Sequence, residues 1–110
     1  MMIRRGCAPA SNVADADVWA LENFEACLDA WIELERPSDE LRLLVTAWVL
    51  SRFDDPYVDV RREPSFDNLW FGAVPGSVHG EGRVVVCSYW IHESQRVVRC
   101  DSVATLSLPI

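Results

Sequence analysis

Arg83-Val84-Val85-Val86-Cys87-Ser88-Tyr89-Trp90-Ile91, then His92-Glu93-Ser94, then Gln95-Arg96-Val97-Val98-Arg99-Cys100-Asp101-Ser102-Val103-Ala104-Thr105-Leu106, is the stretch that decides the fold. Two runs rich in β-branched and aromatic residues, joined by a three-residue link, read as an antiparallel pair. In the first run Arg83, Val85, Cys87, Tyr89 and Ile91 fall on one face, and Val84, Val86, Ser88 and Trp90 on the other. Both faces are largely apolar, as in a central strand covered on one side by helices. If the hairpin turns at Glu93–Ser94, Cys87 lies directly across from Cys100.

Working outward, residues 68–74 read as a further strand, tied to residue 83 by a loop holding Pro75, Gly76, Gly80 and Gly82. Residues 57–60 are expected as a short strand or an extended connector. Further upstream the period changes. Leu21, Phe24, Leu28 and Trp31 recur at three and four residues, widened by Cys27 and Ile32, which is a helical stripe. Asp15 or Asp17 is expected to cap this helix, and Pro37 to end it. Ser38 caps a second helix, with Asp39 and Glu40 in its first turn and Leu41, Leu44, Val45, Trp48 and Val49 on its buried face. Asp54-Asp55-Pro56 closes it. The expected fold is therefore α+β: an antiparallel helix pair on one face of a three- to four-stranded antiparallel sheet. The expected core is Leu28, Trp31, Leu44, Trp48, Val84 and Val86.

Residues 1–110 fit one domain. Half the residues are hydrophobic, five of them Trp, so disorder is not expected. No apolar run reaches the roughly 20 residues of a membrane span, and the N-terminus lacks the apolar segment of a secretory signal. The expected location is the cytoplasm, with no membrane partner.

The net charge is −7, unevenly spread. Residues 11–60 hold twelve acids against Arg36, Arg42 and Arg52, whereas residues 61–110 hold five of each sign. An anionic chain repels nucleic acid at long range, which argues against DNA as a partner. A phosphate could then be met only by a local group of Arg on the sheet. Cys7, Cys27, Cys87 and Cys100 form no Cys-x-x-Cys, and His79 and His92 are far apart, so neither a metal nor another cofactor is expected.

The residues that can carry chemistry are Arg83, Arg99, Arg61, Arg62 and His92. A guanidinium stabilises charge on a phosphorane-like centre, and an imidazole moves the proton of a ribose hydroxyl. The plainer reading is that these Arg pair with the helical acids and solvate strand edges. The glycine-bearing loop 76–82 leads into a strand and lacks the Lys-Ser/Thr of a phosphate loop. Ser88 lacks the Gly-x-Ser-x-Gly setting of a hydrolase nucleophile. The five Trp read as core, with Trp70 or Phe71 as the alternative base-stacking residue.

The order helix, helix, three antiparallel strands resembles the RelE/ParE toxins of type II toxin–antitoxin modules. Asn68-Leu69-Trp70-Phe71-Gly72-Ala73-Val74 stands where that family has Leu-Trp/Tyr-x-x-Arg-Val. Gly82-Arg83-Val84-Val85-Val86 looks like its Gly-x-Tyr-Arg-Val-x-Tyr strand, and Gln95-Arg96-Val97-Val98-Arg99-Cys100 like its last strand. The likeness spans roughly residues 18–106, and the family's first strand maps onto residues 2–5. The resemblance implies a bacterial toxin held by an antitoxin protein, acting on ribosome-bound RNA as an mRNA endonuclease or blocking a host enzyme. It transfers Arg83 and Arg99; Arg61, Arg62 and His92 come from the residues alone. Here Gly82 replaces the Tyr before the strand Arg, Ala73 stands near the other expected Arg, and the pI of about 4.6 disfavours the endonuclease. The alternative is a non-enzymatic acidic binding or inhibitor protein that works through its helical face.

Overall fold

A computed structural model of the chain describes residues 18–109. Its elements are β1 (Ala20–Glu22), α1 (Phe24–Glu35), α2 (Asp39–Leu50), a 3-10 turn (Ser51–Phe53), β2 (Arg61–Arg62), β3 (Leu69–Ala73), β4 (Arg83–His92), a second 3-10 turn (Glu93–Gln95) and β5 (Val97–Ser107). The strands form one sheet in the order β1-β5-β4-β3-β2. The expected α+β class holds, and the three strands read from the sequence are β3, β4 and β5. The sheet has five strands where three or four were expected, and its β1 edge is parallel to β5.

That edge corrects the reading of Leu21. Leu21 pairs with Val98 in β1 and is not part of the first helix. Asn23 ends the strand at a φ of 64°, a conformation Asn tolerates better than most residues. Helix α1 therefore starts at Phe24. The proposed caps at Asp15 or Asp17, and the proposed first strand at residues 2–5, lie outside the described residues. Arg36, at a φ of 49°, closes α1 by donating its N–H to Ile32 O at 2.8 Å, and Pro37 prevents continuation. Ser38 caps α2 as expected, its Oγ accepting from Leu41 N at 3.1 Å.

The helices cover one face of the sheet. Trp31, Val45, Trp48 and Val49 pack against Val85, Cys87, Tyr89, Ile91, Val98 and Val103, with Trp19 and Phe24 closing one end. Burying a side chain of this size stabilises the fold by roughly 1.5–3 kcal/mol. Leu28 is half-buried beside this core, and Val84 and Val86 are buried on the opposite side of β4. Leu44 departs from expectation at 37% exposure. The inward stripe of α2 is Leu41, Val45, Trp48 and Val49, so Leu44 sits on its flank, near Gly76.

Residues 57–60 form neither a strand nor an extended connector but lie in a turn with Asp59 at a φ of 64°, and β2 follows it. Gly72 of β3 lies so close to Asp59 O that a Cβ there would collide with that carbonyl. The β4–β5 register also departs from expectation. The 3-10 turn sets His92 opposite Val97, and a bulge at Ser88/Tyr89 shifts the pairing again. Cys100 consequently faces Tyr89, and Cys87 faces Val103. Cys27, Cys87 and Cys100 are free thiols.

Candidate functional site

Pairing partners place side chains on a sheet face. On the side away from the helices stand Arg61, Leu69, Phe71, Ser88, Trp90, His92, Arg99 and Ser102, by their registers across β2, β3, β4 and β5. Phe66, from the loop before β3, sets its ring against Trp90 with centroids 5.5 Å apart and planes at 82°. The Arg61 guanidinium lies 5.0 Å from the Phe71 ring centroid. Arg99 is opposite Trp90, and its Nη1 donates to Glu22 Oε1 at 3.4 Å. His92 and Arg99 are diagonal neighbours on this face, about 7–8 Å apart at the backbone. Ser88 Oγ donates to Asp101 Oδ2 at 3.2 Å and is 2.9 Å from Ser102 Oγ. Arg61 and Arg99 are thus balanced on or beside this side by Glu22 and Asp101, and the patch is aromatic and close to neutral.

Arg83 and Arg62 belong to the other side. Arg83 pairs with Ser107 at the far end of β4, and its Nη2 donates to Glu35 Oε1 at 3.1 Å. Arg62 is opposite Trp70, and its Nη1 donates to Phe66 O at 2.8 Å, which holds the 63–68 loop. Arg83 lines a cleft of about 890 Å³ between the α1–α2 turn and the β3–β4 loop, with Glu35, Leu43, Leu44, Val78 and His79. His79 Nδ1–H donates to Ser77 O at 2.7 Å. Ser77 is itself buried, and its Oγ accepts from Val85 N at 3.1 Å.

Of the five residues singled out from the sequence, the structure brings Arg99 and His92 together. Arg61 shares their face but lies at the other edge of the sheet. Arg83 and Arg99 are separated by seven positions along β4, since Arg99 stands opposite Trp90. At about 3.4 Å per residue this is roughly 24 Å, and the two point to opposite faces. They do not form one phosphate site.

The Cys27 and Cys100 thiols are held neutral. Burial, with a hydrogen bond to Cys100, pushes Cys27 up to about 12. Cys100 is raised as well, first by a hydrogen bond with Cys87 and then by burial. A protonated thiol is a poor nucleophile, which agrees with reading these cysteines as packing residues. Among the described residues no cluster of His, Cys, Asp and Glu has the geometry to hold a metal ion. No helix among them is long and apolar enough to cross a membrane.

Sequence reasoning missed Phe66, Glu22 and Glu35. The last two are acids at the end of β1 and at the end of α1, and their pairing with sheet Arg has no local signal. Arg52 was missed too: it is buried with no ion pair to a carboxylate among the described residues.

The helix pair over this sheet is a RelE-like fold. The chain is similar to the free-state structure of the Escherichia coli toxin RelE, in a mutant with two Arg replaced by Ala, at a TM-score of 0.55 and 14% identity. The likeness covers 78% of this chain and 81% of that one. No family model and no curated protein matches the sequence. At this identity the likeness establishes the fold.

Proposed function

We propose that this chain is the toxin component of a type II toxin–antitoxin module, bound by an antitoxin protein, and that it inhibits growth by blocking a host protein. The RelE-like fold supports the toxin reading. The observation that favours a protein target over RNA is the separation of Arg83 and Arg99 by roughly 24 Å on opposite faces. Phosphoryl chemistry needs a free cation and a proton carrier on one reacting centre; Arg99 and His92 are neighbours, but Arg99 is already paired with Glu22 and has no second Arg beside it from β4. The open sheet face instead offers Phe66, Phe71 and Trp90 with balanced charge, a composition suited to protein contact.

The test is induced expression in a bacterial host, with and without the adjacent short gene. Growth arrest relieved by that gene, with cellular mRNA intact, is the expected result. Arrest accompanied by mRNA cleavage that Arg99→Ala or His92→Ala abolishes would return the activity to the open face as an endonuclease. Normal growth with soluble protein present would remove the toxin reading. The acidic binding protein would then stand, since α1 presents Glu25, Asp29 and Glu33 on its exposed side.

A further inference from the structure

Four ion pairs are formed among the described residues. Arg42–Asp39 and Arg96–Glu93 are three residues apart and follow from local spacing. The other two are long-range and join the helical half to the sheet. Glu22, just before α1, meets Arg99 at 3.4 Å, and Glu35, the last residue of α1, meets Arg83 at 3.1 Å. Two carboxylates that bracket the twelve-residue α1 therefore each meet a sheet cation, Glu22 at the end of β1 on the open face and Glu35 at the end of α1 on the helix side.

We propose that Glu22 and Glu35 are specificity-determining residues that withhold Arg99 and Arg83 from polyanions. A phosphate approaching either Arg meets a carboxylate already held by one of its donors, and the pair adds no net positive charge to attract it. The acids thus select against RNA locally, beyond the repulsion from the net charge of −7. This deepens the protein-target reading and rests on it for the identity of the excluded ligand.

The experiment measures binding of a fluorescein-labelled 20-nucleotide poly(U) by anisotropy across a salt series. The variant Glu22→Gln/Glu35→Gln is compared with Glu25→Gln/Glu33→Gln, which makes the same charge change at exposed positions of α1 without an Arg partner among the described residues. The expected result is about tenfold tighter binding by the first variant than by the second. Its logarithmic salt slope should be steeper by roughly 1.4, the value for two further phosphate contacts on a single strand. Adding Arg83→Ala and Arg99→Ala should erase the gain. Equal affinities for the two variants would overturn the proposal, because the acids would then act through net charge alone. The single variants Glu22→Gln and Glu35→Gln, with melting curves, carry the same comparison if the double variant is unstable. Failure here leaves the growth assay untouched, so the two readings fall separately.

Discussion

Arg52 stacks on Trp48, its guanidinium carbon 4.0 Å from the ring centroid, in a site where Arg52 is only 2% exposed. Among the described residues the charge is met by this stack and by hydrogen bonds, with no carboxylate partner. Nη1 donates to Val58 O at 2.7 Å and to Tyr89 Oη at 3.1 Å, and Nη2 to Ser51 Oγ at 3.0 Å. Tyr89 in turn donates to Pro56 O. This chain of bonds ties the 51–58 segment to the centre of β4.

Removing that anchor leaves Tyr89 Oη and Val58 O short of a donor within the protein. Arg52→Ala is expected to cost about 2–4 kcal/mol, because a cavity, a lost stack and stranded polar groups add together. Urea denaturation measures it. A loss under about half a kcal/mol would show that the buried charge is as costly as its bonds are worth.

Tyr89 predicts an alkaline limit to stability. Burial pushes its hydroxyl up to about 12 from an ordinary 10, with Arg52 working against the shift. A raised acid pKa means that the folded state prefers the neutral phenol. The stabilisation is complete below pH 10 and is lost as pH rises through 12. The shift of about two units corresponds to about 2.7 kcal/mol. Melting temperature followed from pH 8 to pH 12 should fall steeply in the native chain. Tyr89→Phe should start lower and fall less; parallel curves would remove Tyr89 as the cause.

Gly72 is required by the turn that crosses it. A methyl group there collides with Asp59 O and crowds Val60. Gly72→Ala is expected to destabilise by about 1–3 kcal/mol, the range for forced backbone shifts in a packed site. Gly82, where nothing lies within 4 Å of an added Cβ but φ is +77°, serves as the comparison. Gly82→Ala should cost about 1–2 kcal/mol from backbone strain alone.

Leu44 and Val45 separate the flank of α2 from its buried stripe. Val45 is fully buried, whereas Leu44 is 37% exposed. Val45→Ala should cost about 2 kcal/mol, and Leu44→Ala about 1 kcal/mol or less. Thermal or urea unfolding of the two variants decides the order, and the reverse order would place Leu44 in the core.

The amino-acid sequence by itself determined the two helices and the three long strands, because each carries its own period. Ser38 and Pro37 announced their boundaries by capping and by ring geometry, and the β-branched runs announced β3, β4 and β5. The short edge strands were not legible. Ala20–Glu22 has no strand pattern of its own and exists because β5 offers it a parallel partner. Arg61–Arg62 is likewise drawn out by β3. Leu44 could not be placed from the period alone, since Leu41, Leu44, Val45 and Trp48 all satisfy it and only the angle of approach to the sheet excludes one.

The site divides in the same way. The residue types were visible in the chain: five basic groups in and around the strands, and a surplus of acid upstream. Which neighbours each group meets depended on register, and register depended on the 3-10 turn after His92 and on the bulge at Ser88/Tyr89. With a side-chain period of two, a one-residue change sends every following side chain to the other side of the sheet. The expected register, with Cys87 across from Cys100, already set Arg99 opposite Ser88 and so on the face away from Arg83; the tertiary structure moved it on to Trp90, beside His92. Only it brought Glu22 and Glu35, 77 and 48 residues away in sequence, to their sides, because contacts over such separations are made by packing and leave no local trace.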